Sequence, residues 1–128
     1  MLLKMLFVGL GGFFGAILRY AMSGWAQTIS KNSSFPIGTL AVNLIGCFVL
    51  GFLYYLAQSR GIFSPEWRLV LFVGLLGGFT TFSTFGNETM LLVQNSELNL
   101  ALLNIGLHLI LGLMAVWVGQ LLGKLIGG

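Results

Sequence analysis

The sequence carries very little charge for its length. Its 128 residues include six Lys or Arg and three Asp or Glu, so that only 7% are charged, whereas about 25% is usual for a soluble domain. A nucleic-acid surface needs clustered Lys and Arg, and the chain has too few of them. Since 57% of the residues are hydrophobic, the composition indicates an integral membrane protein without a nucleic-acid partner.

Residues that build disulfides, metal centres and active sites are also scarce. Cys47 is the one cysteine and His108 the one histidine, which excludes an internal disulfide and a multi-histidine metal site. The sequence has no nucleophile beside a base, no phosphate-binding loop and no cluster of metal ligands. We therefore predict that the protein is not an enzyme.

What the sequence has in quantity is long apolar segments. Four of them reach about 20 residues, the length that crosses roughly 30 Å of hydrocarbon, near residues 3–25, 38–58, 68–93 and 99–124. We expect one all-α transmembrane domain over residues 1–128. The connection at 26–37 is polar, and Ser64-Pro65-Glu66 is typical of a helix N-terminus.

The third apolar segment is interrupted near its middle by glycines and hydroxyl residues. From Gly74 to Glu88 it reads GLLGGFTTFSTFGNE. Backbone entropy at Gly77 and Gly78 and competing side-chain hydrogen bonds from the hydroxyls both weaken a helix. We expect a break here, and the carbonyls freed by such a break commonly hold ions near the membrane midplane.

Phenylalanines at positions 79, 82 and 85 surround this expected break. Phe82 and Phe85, three residues apart, should be neighbours on a helical surface. The edge of an aromatic ring is positive, so ring edges turned into a narrow path would attract a small anion. Taken alone, the spacing more often belongs to phenylalanines that pack or face lipid, and that alternative stays open.

Polar residues four apart mark one face on each of two other helices. Thr39 and Asn43 lie on one face of the second helix, and Asn104 and His108 on one face of the fourth. The Asn43 amide could replace water around an anion without adding a fixed charge. A hydrogen bond to another helix is the commoner role of a membrane asparagine or a lone histidine, and the sequence leaves both roles open.

Arg19 and Glu88 are charged residues inside the predicted spans, where charge is costly and usually paired or functional. The first and third helices run in the same direction, so both residues should lie toward the same membrane face. A contact between Arg19 and Glu88 is geometrically feasible. Two interpretations fit the sequence equally well: Arg19 and Glu88 form a pair that fixes helix packing, or they take part in an ion pathway.

Three motifs together resemble the Fluc (CrcB) family of fluoride channels. They are Gly38-Thr-Leu-Ala-Val-Asn43, Gly77-Gly-Phe-Thr-Thr-Phe-Ser-Thr-Phe85 with Glu88, and Gly15-x-x-x-Arg19. The resemblance covers the whole chain in length, helix count and motif order, and its third-helix motif is the most specific. It implies an antiparallel, dual-topology homodimer in the cytoplasmic (inner) membrane, with two narrow pores that export fluoride passively and lower cytoplasmic fluoride.

The resemblance also implies roles for individual residues. Phe82 and Phe85 would be the pore phenylalanines, and Asn43 the pore asparagine. Polar side chains would form a track beside them: Thr81, Ser83 and Thr84, with Thr39 on the face of Asn43. The backbone carbonyls of Gly77 and Thr80 would coordinate a structural sodium ion at the dimer centre.

Basic residues are spread unevenly over the two ends of the predicted helices. The end that carries the termini has Lys4, Arg60, Arg68 and Lys124, and the other end has Arg19 and Lys31. This is a weak positive-inside bias toward cytoplasmic termini. Dual insertion favours equal numbers of basic residues at the two ends, and this distribution departs mildly from that balance.

Two other classes of membrane protein have this size and helix content. Small proton-coupled multidrug exporters are also four-helix dimers, but they resemble one another in a glutamate of the first helix, where this chain has Arg19 and no acid. A purely structural subunit would explain the glycines but not the third-helix motif. The sequence therefore predicts a fluoride channel.

Overall fold

The computed structural model describes residues 1–31 and 34–128 of the chain. Four long helices account for most of these residues: α1 (Leu2–Ile29), α2 (Ile37–Arg60), α3 (Pro65–Gln94) and α4 (Leu98–Gly127). Each is long and apolar enough to cross a membrane, as predicted. Each also begins earlier and ends later than the apolar run that predicted it, because polar end residues such as Gln27 and Ser59 continue the helix.

Short connections join the helices. Residues 30–36 link α1 to α2, and Asn32 and Ser33 of this predicted polar connection lie outside the described residues. Gly61 follows α2 with φ of 60°, a conformation that glycine adopts without strain. The predicted N-terminus of α3 is confirmed, since Ser64 Oγ accepts a hydrogen bond from the Trp67 N–H at 3.4 Å.

The third helix is broken, as the sequence predicted. Thr80 (φ −86°, ψ 155°) and Thr81 (φ −150°, ψ 119°) have extended backbones. They divide α3 into α3a, residues 65–79, and α3b, Phe82–Gln94. The break lies at the two threonines and not at the glycines before them, because the segment Gly77–Phe79 is still α-helical.

Glycines allow close contact between α3a and α1, and between α2 and α4. A Cβ added to Gly15 of α1 would collide with the Leu75 carbonyl of α3a, and one added to Gly119 of α4 would collide with the Phe48 carbonyl of α2. Backbone therefore packs on backbone at both places, which is the usual consequence of small residues spaced four apart in membrane helices.

The break changes the neighbours of the third helix. α3a packs against α1, whereas α3b packs against α4 and, within the described residues, makes no close backbone contact with α1. The two halves also differ in exposure at the break, since Phe79 is 5% exposed and Phe82 is 83% exposed. Because of the break, α3b begins in the space between α2 and α4.

Candidate functional site

A groove of about 490 Å³, which we call the break groove, lies beside Thr80 and Thr81 between α2, both halves of α3, and α4. Its lining brings together many of the residues singled out in the sequence: Asn43, Cys47, Gly77, Thr80, Thr81, Phe82, Phe85 and His108. No Asp, Glu, Lys or Arg is among the described residues that line it. The groove therefore has neutral polar groups and aromatic rings but no fixed charge.

The Asn43 side chain bonds to both backbone groups of Thr81. Its Oδ1 accepts a hydrogen bond from the Thr81 N–H at 2.8 Å, and its Nδ2 donates to the Thr81 carbonyl at 3.0 Å. A backbone group that leaves a helix within the membrane costs several kcal/mol if it has no partner. The Asn43 amide supplies those partners, and the helix can break at Thr81 for this reason.

The same contact releases a carbonyl oxygen of α3a. In an uninterrupted α-helix, the Thr81 N–H would donate to the Gly77 carbonyl, but here it donates to Asn43. At Thr80, the extended ψ of 155° turns the carbonyl out of the helix direction. Unwound carbonyls of this kind are the ligands that coordinate Na⁺ in broken membrane helices, and Gly77 and Thr80 both line the break groove.

Carboxylates and imidazoles are not arranged to hold a metal in the part of the chain that the structure describes. Residues 1–31 and 34–128 contain no group of three or more His, Cys, Asp or Glu that could ligate one. The backbone oxygens at the break are uncharged oxygen donors, which differ from the thiolate and imidazole ligands of zinc and copper sites.

Of the three hydroxyls predicted to form a polar track, that of Thr81 contacts the other two. Thr81 Oγ1 lies 3.1 Å from Thr84 Oγ1 and 3.4 Å from Ser83 Oγ. Thr81 Oγ1 also accepts a hydrogen bond from the Thr84 N–H at 3.3 Å and so caps the N-terminus of α3b. Sequence reasoning missed this cap, although a threonine at the start of a resumed helix is a known N-cap signal.

Phe82 and Phe85 are neighbours, as their spacing predicted. Their ring centroids are 5.5 Å apart with an angle of 50° between the planes. Phe79 does not continue this pair, because two extended residues intervene and its ring is buried. Phe85 lies in addition against the His108 imidazole, with the centroids 4.3 Å apart.

His108 joins the site through two hydrogen bonds. Its Nε2 lies 3.0 Å from Asn43 Nδ2, and its Nδ1 lies 3.1 Å from the Asn104 carbonyl oxygen. Because a carbonyl can only accept, Nδ1 carries the proton and the neutral Nε2 accepts from Asn43. The interhelical hydrogen bond that the sequence left open for Asn43 and His108 is therefore present, and it lies in the break groove.

Thr39 and Glu88 meet in a second groove of about 590 Å³, the polar groove, which Gln27, Asn95 and Glu97 also line. Thr39 Oγ1 donates a hydrogen bond to Glu88 Oε1 at 2.8 Å. Glu88 Oε2 is buried without a hydrogen-bond partner among the described residues. Thr39 thus lies one helical turn from Asn43, but it lines the polar groove whereas Asn43 lines the break groove.

The feasible contact between Arg19 and Glu88 is not formed. Within residues 1–31 and 34–128, the partner of the Glu88 carboxylate is Thr39, and no ion pair joins it to Arg19. The reason is the break, which turns α3b toward α4 and away from α1. The prediction that α1 and α3 run in the same direction is correct, since Gly11 faces Gly74 and Gly15 faces Phe79. It did not predict that α3b would lie apart from α1.

Comparison with known proteins gives a consistent family. The profile of the family described as CrcB-like protein, Camphor Resistance (CrcB), matches residues 6–120. A protein named fluoride-specific ion channel FluC 1, from Methanosarcina acetivorans, is 46% identical over 116 residues, which cover 91% of this chain and 87% of the relative.

Two further relatives are named fluoride-specific ion channel FluC. The one from Shewanella amazonensis is 49% identical over 117 residues, covering 91% of this chain and 93% of the relative. The one from Parabacteroides distasonis is 46% identical over 123 residues, which cover 96% of this chain and 94% of the relative. Both the break in the third helix and the motifs around it lie inside the matched region, and the chain belongs to the CrcB family.

Proposed function

We propose that this protein is a fluoride-selective channel, not an enzyme, that conducts fluoride passively across the cytoplasmic membrane and lowers its concentration in the cytoplasm. The observation that carries the proposal is the break groove, where the adjacent rings of Phe82 and Phe85 lie with the Asn43 amide in a lining without charged side chains among the described residues. The names of the relatives support the identity of the ion.

The chemistry of this lining suits a small, strongly hydrated anion. A selective path must replace the hydrogen bonds that water gave to the ion, yet hold it weakly enough to let it leave. Hydroxyl donors and the positive edges of aromatic rings supply attraction without a fixed charge. Thr84 and Glu88 fall on one face of α3b by their spacing, and Thr81 caps the start of this helix, which gives a polar line from the break toward the polar groove.

The functional unit in this proposal is a homodimer of antiparallel subunits. Four helices of this length hardly enclose a pore by themselves, and the Phe82 ring that belongs to the break groove is 83% exposed in the single chain. A second copy of the chain across the groove would enclose it. The antiparallel arrangement rests on the resemblance to the Fluc family, whereas the weak positive-inside bias of the two ends favours a single orientation.

The sodium ion is part of the same proposal. The carbonyls of Gly77 and Thr80 would hold it, and the support is that the Thr81 N–H is bonded to Asn43 and leaves the Gly77 oxygen free of its helical partner. Bound there, the ion would fix the broken backbone of α3. Vesicles prepared with N-methylglucamine in place of sodium test this, since flux that persists unchanged after sodium removal would contradict a structural ion.

Fluoride efflux from liposomes that contain only this protein tests the function. With a fluoride electrode, we expect rapid fluoride loss and no chloride loss from matched vesicles. Phe82→Ile and Phe85→Ile should each lower the fluoride flux by about tenfold or more, because an aliphatic side chain of similar bulk has no positive ring edge. Phe13→Ile, a change of an exposed ring on α1, is the matched control and should leave the flux intact.

Each other outcome would contradict a different part of the proposal. A folded protein without fluoride flux would overturn the proposal and favour a structural membrane subunit. Cation flux driven by a proton gradient would favour a small multidrug exporter. Full fluoride flux in both Phe82→Ile and Phe85→Ile would keep the channel but remove these rings from its pathway.

A further inference from the structure

His108 is a polar residue of the break groove to which neither the family resemblance nor the proposed function has assigned a role. We propose that His108 is a positioning residue for Asn43: its neutral Nε2 fixes the orientation of the side-chain amide that closes the break in α3. The inference rests on the proposed function, because the break carries the groove through which fluoride is proposed to pass. It adds a residue from α4 to the parts that determine the shape of this groove.

The directions of the hydrogen bonds around Asn43 allow a single arrangement. The Thr81 N–H can only donate, so the Asn43 atom facing it must be Oδ1. The other amide atom is then Nδ2, whose two protons point to the Thr81 carbonyl and to His108 Nε2. Both amide protons and the amide oxygen are thus engaged, and rotating the amide by half a turn would break all three bonds.

The tautomer of His108 is fixed from its other side. The Asn104 carbonyl accepts from Nδ1–H at 3.1 Å, which leaves Nε2 with its lone pair toward Asn43. The imidazole is held further by the Phe85 ring, whose centroid is 4.3 Å away. Two elements thus hold the ring in the orientation that accepts the Asn43 proton.

Protonation of His108 would destroy this arrangement. A proton on Nε2 would face the Nδ2–H of Asn43, so that two donors oppose each other and the amide loses a partner. The amide cannot turn to accept the new proton, because Oδ1 is held by the Thr81 N–H at 2.8 Å. A hydrogen bond of ordinary net strength corresponds to about tenfold in an equilibrium, and conduction should therefore fall when His108 is charged.

Few other titratable groups face this part of the protein. From α2, Cys47 lines the same groove; from α3b, Glu88 lies one turn beyond Phe85 but is bonded to Thr39 in the polar groove. The described residues that α3a and α4 contribute to the break groove include no ionisable side chain other than His108. Glu88 and Cys47 are consequently the groups that a control must remove.

The direct test is the protonation state of the imidazole. His108 is the one histidine of the chain, so protein labelled with ¹⁵N-histidine and freed of any histidine tag gives signals from this residue alone. In bilayers at about pH 8, where a free imidazole is neutral, we expect Nδ1 protonated and Nε2 unprotonated. An Nε2–H tautomer would overturn the inference whatever the flux measurements show.

The functional test is the pH profile of fluoride efflux between about pH 8 and about pH 5, with the leak of protein-free vesicles subtracted. We expect the flux to fall by about fivefold or more at the acid end, once the His108 imidazole itself is charged. His108→Gln, whose amide oxygen can accept from Asn43 but does not titrate, should flatten this profile. His108→Leu, which offers no acceptor, should lower the flux at every pH and should carry less than His108→Gln at about pH 8.

Controls distinguish an effect of His108 on the flux from effects of neighbouring titratable groups and from a channel that does not conduct fluoride. Glu88→Gln and Cys47→Ala should both keep the wild-type pH slope; a slope that is lost in either of them and kept in His108→Gln would overturn the inference. A flat wild-type profile, or equal flux in His108→Leu and His108→Gln, would also overturn it. Wild-type protein that carries no fluoride at any pH would reject the proposed function, and the tautomer measurement would still decide the geometry of His108.

Discussion

Side-chain amides in this protein take the place of missing backbone partners. Asn43 bonds to the N–H and carbonyl of Thr81 at the break in α3. Gln27 does so for the Gly38 N–H at the start of α2, from which its Oε1 accepts at 3.0 Å. Its Nε2 also donates at 3.1 Å to the Phe35 carbonyl, which accepts from the Ile37 N–H as well. Since an amide side chain has one acceptor and two donor sites in a plane, it matches a peptide group that has left its helix.

We expect Asn43→Asp to abolish most of the fluoride flux. Aspartate keeps an oxygen for the Thr81 N–H but has no donor for the Thr81 carbonyl or for His108, and it places a negative charge in a neutral groove. Leaving a buried acceptor without its donor costs about 1–3 kcal/mol, so the protein should also unfold at a lower temperature. Efflux and thermal unfolding in detergent measure both effects.

Asn99→Asp is the matched control for this change. Asn99 is exposed in the first turn of α4, where a carboxylate interacts favourably with the helix N-terminus. The control should carry fluoride at the wild-type rate. Wild-type flux in Asn43→Asp itself would contradict the importance of the donors at this position.

The sequence singled out polar residues that line the break groove, but it did not predict their hydrogen-bond partners. Phe82 and Phe85 were expected to be neighbours because helical spacing determines that contact locally. The bond between Asn43 and His108 joins residues 65 apart, and no local pattern indicates which of several helices a lone polar residue faces. The pairing of Thr39 with Glu88 was missed for the same reason.

At the scale of elements, the third helix determines the shape of the molecule. A π-helical segment, Leu69–Leu76, precedes the break, although π-helix usually occurs as single turns and often at functional sites. Gly74 of this segment lies against the backbone of Gly11 and Gly12 of α1. The tight contact fixes α3a on α1, and the extended residues after it let α3b turn to α4.

The break and its place near the middle of the third helix were predicted from the sequence, but the two residues at which it occurs were not. Gly77 and Gly78 are the residues with the weakest helix preference, yet both remain helical, and Gly78 packs against the backbone of Gly12. Close packing thus outweighs local propensity at the glycines. The helix breaks at the threonines instead, because Asn43 accepts a hydrogen bond from the Thr81 N–H and donates one to the Thr81 carbonyl.

Glycines between α2 and α4 give a test of helix packing. We expect Gly119→Ala to destabilise the protein by about 1–3 kcal/mol, since overpacking at a tight contact has costs of this size and the added Cβ would meet the Phe48 and Phe52 backbones. Gly106→Ala, on the same helix, would place its Cβ in open space and should not destabilise. Reversible unfolding by denaturant in detergent measures both free energies, and equal losses in the two variants would contradict packing by backbone contact.

At the scale of the whole molecule, basic side chains at the terminal end of the bundle are engaged with the backbone. Arg60 Nε donates to the Gly127 carbonyl at 2.9 Å, and Arg68 Nη2 donates to the Ala57 carbonyl at 2.7 Å. These bonds satisfy carbonyls near the ends of α4 and α2, which have no helical partner. Two of the four basic residues counted at this end of the bundle therefore also cap helices.

Dual insertion makes a prediction that a single orientation does not. With Cys47→Ala as background, Ile62→Cys places a thiol between α2 and α3, and Ser96→Cys places one between α3 and α4, at opposite ends of the bundle. On intact spheroplasts, a membrane-impermeant maleimide should label about half of each variant if both orientations are inserted. Lysed membranes, where each thiol should react fully, are the control. Labelling of one position alone would show a single orientation, and the antiparallel homodimer would then have to be abandoned.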